Sequence, residues 1–183
     1  MTVASTMDIT LSPALSDDDR QAVRNMFVAY FYDLAPYDPN LVINAFGLPC
    51  WEPALIQGSP GPRTSAECWE FNKWVRDSVD WYLIRVDGTP AGFVFVMDDN
   101  GNLPSGCQHE LMDFYVTPKY RRHGIGSQAA RLAFETRHGR WVLYQLSPNY
   151  AARKFWLKVL RDYTAGNFEM VERDYDVMQQ FSN

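Results

Sequence analysis

The sequence predicts an α/β (α+β) domain: a central mixed sheet with helices on its faces. Three observations predict it. Segments of helical and of strand periodicity are interleaved along the chain. An apolar strand, 110–116, runs through a basic, glycine-containing turn directly into a helix. Hydrophobic residues make up 46% of the 183 residues, with six Trp and ten Tyr, which is enough core for a single domain spanning 1–183.

The elements follow in order. Residues 8–11 read as a first strand that Ser12 and Pro13 break. Ser16 is placed to cap a helix whose first turn is acidic (Asp17, Asp18, Asp19), and Val23, Met26, Phe27, Tyr30 and Phe31 recur at helical spacing to about Leu34. From 36 to 65 the density of Pro and Gly predicts irregular loop, either a lid or substrate wall or a mobile connector. A second helix is expected over 66–78, with Trp69, Phe71 and Trp74 for packing. Strands are expected at 81–86 and 91–97, joined by the turn Asp87-Gly88-Thr89-Pro90; Asp98-Asp99-Asn100-Gly101 marks another turn. After strand 110–116 and Pro118 come a tight turn at Gly124-Ile125-Gly126, a helix over 127–138, a strand over 141–146, a helix from 149 to about 161 and closing strands at 168–175 and 177–181.

Composition narrows the function classes. A formal charge of −5 disfavours nucleic-acid binding, which needs a basic footprint, and suits a cationic partner. Cys50, Cys68 and Cys107 are few, odd in number and widely spaced; neither they nor His109, His123 and His138 carry metal-ligand spacing, so no metal and no disulfide framework are expected. The first residues lack a basic start followed by an apolar run, and no apolar stretch reaches membrane-spanning length. The expectation is a cytoplasmic protein with no membrane partner.

The chemistry sits at 110–127. Glycines let a ligand approach the main chain, and a helix start offers unpaired N–H groups with partial positive charge. Arg121, Arg122 and His123 add positive potential, so the turn is suited to a pyrophosphate; the alternative is a helix start that merely needs its glycines. It is not a P-loop, because no Gly-Lys-Ser/Thr follows, and the dinucleotide fingerprint is incomplete.

Arg121-x-x-Gly124-x-Gly126 after an apolar strand resembles the acetyl-CoA motif of the GNAT superfamily (GCN5-related N-acetyltransferases). The phrase Phe114-Tyr115-Val116-x-Pro118-x-Tyr120-Arg121 resembles it too, and 149–156, NYAARKFW, is similar to that family's later Asn-x-x-Ala-x-x-Phe-Tyr helix. The resemblance implies the GNAT fold, with a mostly antiparallel sheet splayed at its middle strands. It implies acetyl-CoA as co-substrate, with pyrophosphate on the main chain of Arg122, His123, Gly124, Ile125, Gly126 and Ser127. The pantetheine arm then lies against the main chain of Phe114, Tyr115 and Val116 and against Asn149. Arg153 or Lys154 would reach a CoA phosphate, a solvated helix face being the alternative.

Acetyl transfer needs an uncharged amine, so a proton must be accepted. Glu110 is the first candidate base, with a solvated strand terminus as the alternative; Asp113 is second and His109 third. Simple strand alternation sets Asp113 opposite Glu110 and Met112. Where the family commonly places a tyrosine acid, this chain has Trp156, whose indole N–H donates a hydrogen bond but is not an acid. Tyr150 is then preferred over Tyr144 and Tyr163 as proton donor, and protonation by solvent is the alternative.

Acceptor selection is expected from the early helices, the loop 36–65 and the C-terminal strands. Tyr37, Trp51, Glu52 and Glu110 are the candidate acceptor residues, among a wider set of carboxylates (Asp33, Asp38, Glu172, Asp174, Asp176) and aromatics (Tyr30, Tyr32, Phe46). Carboxylates beside aromatic faces suit a small cationic amine. Family analogy makes an aminoglycoside-type antibiotic the specific expectation, which would make the activity one of antibiotic resistance. The alternatives are acetylation of a protein N-terminus or lysine, and a CoA-binding module without turnover. Dimers are frequent in the superfamily, so a homodimer is compatible with the resemblance.

Overall fold

The computed structural model describes residues 7–52, 58, 60–71 and 78–183. In chain order the elements are β1 (Ile9–Pro13), α1 (Asp17–Leu34), β2 (Leu41–Ile43), β3 (Pro49–Trp51), α2 (Ser65–Glu70), β4 (Asp80–Val86), β5 (Thr89–Asp98) and β6 (His109–Val116). A 3-10 turn (Pro118–Tyr120), α3 (Ile125–Phe134), β7 (Arg140–Leu146), α4 (Tyr150–Thr164), β8 (Glu169–Glu172) and β9 (Asp176–Ser182) complete them.

The main sheet has the strand order β1-β4-β5-β6-β7-β9-β8. Every pairing is antiparallel except β6 with β7, which is parallel. This is the mixed, mostly antiparallel sheet expected from the sequence. Strand alternation divides its side chains between two cores. Tyr82, Ile84, Val94, Val96, Leu111 and Val116 pack with Ile125, Ala129 and Phe134 of α3 and Trp156 and Leu160 of α4. Leu83, Phe93, Phe95 and Tyr115 point the other way, onto Val23, Phe27 and Phe31 of α1 and Trp69 of α2. Helices therefore cover both faces, and the two faces acquire different roles.

Local signals account for the helix starts. Ser16 Oγ accepts from Asp19 N–H at 3.1 Å, and Thr64 Oγ1 from Glu67 N–H at 3.3 Å, each satisfying a donor that the helix itself leaves open. Asn149 Oδ1 does the same for Ala152 N–H at 3.0 Å at the head of α4.

Three expectations change. The first strand does not break at Pro13: Pro13 pairs with Tyr82, tolerated because β1 is an edge of the sheet. The loop 36–65 contains a two-stranded antiparallel hairpin, β2 with β3, whose three-residue strands are too short to register as periodicity. The second helix begins as expected, but part of its expected length, 72–77 with Trp74, lies outside the described residues.

The centre of the sheet depends on one close approach. A Cβ built on Gly92 would lie 2.1 Å from the Tyr115 carbonyl oxygen and 3.1 Å from Val116 Cα, both main-chain atoms. Gly92→Ala is expected to destabilise the fold by about 3 kcal/mol, read as a lowered midpoint in urea unfolding, because neither strand has room to move.

Candidate active site

β6 and β7 stay together only at their N-terminal ends. Their register runs His109–Trp141, Glu110–Val142 and Leu111–Leu143, and stops there. β6 continues to Val116 on β5, while β7 continues to Leu146 on β9. The strands part into a cleft of about 230 Å³, with Leu111, Met112 and Phe114 on one wall and Leu143, Tyr144, Gln145 and Leu146 on the other. Asn149, Ala152 and Trp156 of α4 close one side; Tyr30 and Leu34 of α1, with Tyr175 and Asp176, close the other.

On the β6 wall the main chain is available to a ligand. The Tyr115 carbonyl turns toward Gly92, and Thr117 N–H donates to Ala91 at 2.8 Å, so these alternate residues serve β5. By the two-residue period, Phe114 and Val116 turn their main-chain groups toward the opening left by β7. The Val116 carbonyl accepts from Arg121 Nε at 2.7 Å, which leaves its N–H and both groups of Phe114 facing the cleft.

Past Val116 the chain makes the 3-10 turn and enters α3 through two left-handed residues, Arg122 (φ 67°) and Gly124 (φ 80°). Gly124 occupies the N-cap position but has no side chain to cap with. Among the described residues, none of the six consecutive N–H groups of 122–127 is bonded to an acceptor. Arg122, His123 and Gly124 are exposed, and a Cβ on Gly124 would meet nothing within 4 Å. Gly126 differs: a Cβ there would crowd the Phe155 ring at 3.2 Å, so this glycine brings α3 close to α4. An open row of donors at a helix N-terminus is suited to a pyrophosphate.

These features fit a coenzyme A molecule: free amides for its phosphates, an unpaired strand edge for its pantetheine arm and apolar walls along the way. Gln145 adds to the fit. It is 5% exposed, and neither of its amide atoms has a partner among the described residues.

Two of the basic side chains, Arg121 and Arg153, are engaged. Besides Val116, Arg121 reaches Asp33 and stacks on the Tyr115 ring, so it holds the turn to α1. Arg153 bonds Glu172 at 2.5 Å and the Ser147 carbonyl at 3.3 Å, with its guanidinium over Tyr150. Asn149 spends its oxygen on the α4 cap, and its Nδ2 has no partner among the described residues.

Two acids of β6 lie next to residues that line the cleft: Glu110 precedes Leu111, and Asp113 bonds Tyr30. The β5–β6 register slips between Phe95 and Val96, leaving Met112 as an extra residue on β6. This bulge resets the alternation, so Asp113 does not face away from Glu110 as the simple period implies. Asp113 points to the α1 face, where its Oδ1 accepts from Tyr30 Oη at 2.6 Å. Glu110 lies on that same face, next to Val142 in register. Burial first, and the Asp113 charge second, push the Glu110 carboxyl up to about 7. Burial pushes Asp113 up to about 6 against the opposing pull of the Tyr30 hydrogen bond. Two carboxyls held so close to neutrality beside a cleft are characteristic of proton-handling sites.

Other expected residues lie elsewhere. His109 bonds Asp98 at 2.8 Å and the His138 carbonyl at 3.1 Å, a structural tie. Tyr150 is 74% exposed and does not line the cleft, whereas Tyr144 does, its hydroxyl pushed up by burial and then by Glu110. Trp156 also lines it, packed edge-on to Phe114 with ring centroids 5.1 Å apart. Tyr37, Trp51 and Glu52 do not line the cleft: Trp51 packs on Phe31 and Glu52 is exposed. The α1 side of the cleft is lined by Tyr30, Leu34, Tyr175 and Asp176. Of these, Tyr30 and Asp176 belong to the aromatic and acidic sets expected there, while Leu34 and Tyr175 carried no signal in sequence. Tyr175 Oη donates to the buried Asp38 at 2.7 Å and so ties the loop after α1 to the β8–β9 loop.

Among the described residues no group of three or more His, Cys, Asp or Glu could hold a metal ion, and no helix is long and apolar enough to cross a membrane. The three cysteines are buried thiols, not joined in a disulfide.

Comparison with known proteins agrees with this geometry. No curated protein matches the chain. Among solved structures it is similar to the PaiA N-acetyltransferase from Thermoplasma acidophilum in complex with coenzyme A, with TM-score 0.56 and 15% identity over 97% of this chain and 100% of that one. Naa50 from Arabidopsis thaliana, in complex with the bisubstrate analogue CoA-Ac-MVNAL, gives 0.51 and 14% over 96% and 99%. A chimera of the spermidine N-acetyltransferase SpeG from Vibrio cholerae and hSSAT gives 0.51 and 14% over 95% of each chain. The acetyltransferase (GNAT) family model matches residues 48–160, more than half of the sequence. The chain therefore belongs to the GNAT family and is an acetyl-CoA-dependent N-acetyltransferase.

Proposed function

We propose that this enzyme acetylates a primary amine of a small cationic acceptor, an aminoglycoside-type antibiotic being the specific form of that reading, with Glu110 as general base. The observation that carries it is Glu110 itself: a carboxyl pushed up to about 7, on the α1 face, where the paired part of β6 and β7 ends. Acetyl-CoA supplies the acetyl group already activated as a thioester. The N–H groups of 122–127 and the β6 edge at Phe114 and Val116 would hold it, with Asn149 and Gln145 alongside.

The acceptor arrives as an ammonium and has no free electron pair until it loses a proton. A carboxylate whose proton affinity matches neutral pH takes that proton with good efficiency, directly or through one water. The departing sulfur benefits from a donor, and Tyr144 is the better-placed phenol: it lines the cleft and its hydroxyl stays protonated. Tyr150, preferred from sequence, points into solvent under Arg153.

Pocket shape favours a small acceptor. The Tyr175–Asp38 bond bridges the cleft's acceptor side, where an extended peptide would need an open trench. Asp176 lines that side, and Asp113 lies behind Tyr30, so it has acidic character, which attracts cations.

A thiol-release assay with acetyl-CoA and a panel of aminoglycosides, polyamines and peptides tests this. Turnover with aminoglycosides or polyamines is the expected result. Turnover with peptides alone would reverse the choice of acceptor, and coenzyme A binding without any turnover would contradict catalysis.

A further inference from the structure

The Tyr30–Asp113 pair has no part in the steps above, yet it is built into the floor of the acceptor side. Tyr30 comes from the fourth turn of a helix and Asp113 from the central strand, 83 residues away. Among the described residues neither carries a counter-cation. Arg121, the nearest cation of the turn, is occupied by Asp33, Val116 and the Tyr115 ring. Asp113 is also present on this face only because of the bulge at Met112, since a regular strand would send it to the opposite core.

We propose that Tyr30 and Asp113 are positioning residues for the reaction: the Tyr30 hydroxyl keeps Asp113 ionised, and its fixed negative charge beside Glu110 makes Glu110 a base suited to neutral pH. The proposal rests on Glu110 as the base. A neighbouring like charge disfavours ionisation of a carboxyl, and a donated hydrogen bond favours it. Tyr30 therefore acts on Asp113 in one direction and Asp113 on Glu110 in the other, each on top of the burial that is the first cause of the rise in both carboxyls.

The other groups around Glu110 do not supply this charge. From β7 it meets Tyr144, whose hydroxyl is neutral, and Val142. From β5 it meets Met97; Asp98, next along, is bound by Arg137 and His109. Beyond Tyr144, Arg173 lies over that ring at 5.1 Å and is paired with Asp176 at 2.7 Å, so its charge is compensated. From α1, Asp33 is paired with Arg121. Asp113 is left as the uncompensated charge among the described neighbours.

The test is the pH dependence of kcat/KM for the wild type and for Glu110→Gln, Asp113→Asn and Tyr30→Phe. The wild type is expected to gain activity with an acid limb near pH 7. Asp113→Asn is expected to move that limb down by about one pH unit, because the like charge is gone. Tyr30→Phe is expected to move it in the same direction by less: Asp113 then keeps its proton to higher pH and stops repelling charge on Glu110. A role confined to packing would lower activity at every pH without moving the limb. Carbon-13 titration of the Glu110 side-chain carboxyl in the Asp113→Asn protein, with no substrate present, reads the same shift and does not require turnover. If Glu110→Gln removes the limb while Asp113→Asn leaves it and the carbon-13 titration at the wild-type position, the inference is wrong and Glu110 stands as base. If Glu110→Gln keeps the limb, the reading of Glu110 fails, and the inference with it.

Discussion

Gly124→Asp is expected to abolish coenzyme A binding while leaving the fold in place. Gly124 sits at φ 80°, where a β-carbon costs about 1 kcal/mol in backbone strain, and Asp tolerates that region better than most residues. Nothing lies within 4 Å of the new Cβ, so no packing is lost. The side chain instead enters the space in front of the free N–H groups of 122–127, and its charge opposes a pyrophosphate there. It also offers an N-cap acceptor to the first turn of α3 and so competes for the donors a phosphate would use. An affinity loss of about 100-fold or more is expected by calorimetry, with a near-native circular dichroism spectrum. Unchanged affinity in a folded variant would remove the cofactor from this turn.

Glu110→Gln is expected to lower kcat about 100-fold at neutral pH and to stabilise the protein above it. Glutamine keeps the shape of the side chain but cannot accept the proton. Activity should recover partly toward high pH, where the acceptor amine arrives with less need of a base. Stability moves the opposite way for a defined reason. The carboxyl ordinarily titrates near 4.5 and in the fold near 7. The folded state thus holds the proton more tightly. The favourable contribution is complete below about 4.5 and is lost as pH rises through 7, so the wild type bears its full cost at pH 8. Replacing a half-buried carboxylate by a neutral amide should return about 1–3 kcal/mol at pH 8 after allowance for solvent screening, and nearly nothing at pH 4. Thermal melts at the two pH values measure it; equal effects at both would show that burial does not set the proton affinity of Glu110.

These two residues were legible in the sequence because their signals are local. A strand, a basic turn and a helix start within twenty residues or so suffice to identify an anion site, and a carboxylate at the head of that strand invites a proton-transfer role. Ser16 and Asn149 likewise act through neighbours three residues on. The bulge at Met112 was not legible. It arises from pairing with β5, and no glycine or unusual residue type marks it, so the face of Asp113 could only be seen in the sheet. The acceptor wall was hidden for a related reason. Tyr175 meets Asp38 across 137 residues and Tyr30 meets Asp113 across 83, separations that no local pattern encodes. Tyr37, Trp51 and Glu52 had the right chemistry in the right region, but the cleft is lined there by Tyr30 and Leu34 of α1. Arg121 was expected to add positive potential at the turn, and the family resemblance suggested Arg153 for a CoA phosphate; the fold gives each a carboxylate partner.

The central claim is that acetyl-CoA is held by main-chain nitrogens where β6 gives way to α3, with its arm along the open edge of β6. Titration of nitrogen-15-labelled protein with coenzyme A, followed by amide resonances, tests it most directly. The largest shifts are expected at the amides of 122–127, followed by Phe114 and Val116, with the far edge of the sheet at β1 unmoved. Shifts that spare 122–127, or no shifts at millimolar ligand, would contradict it.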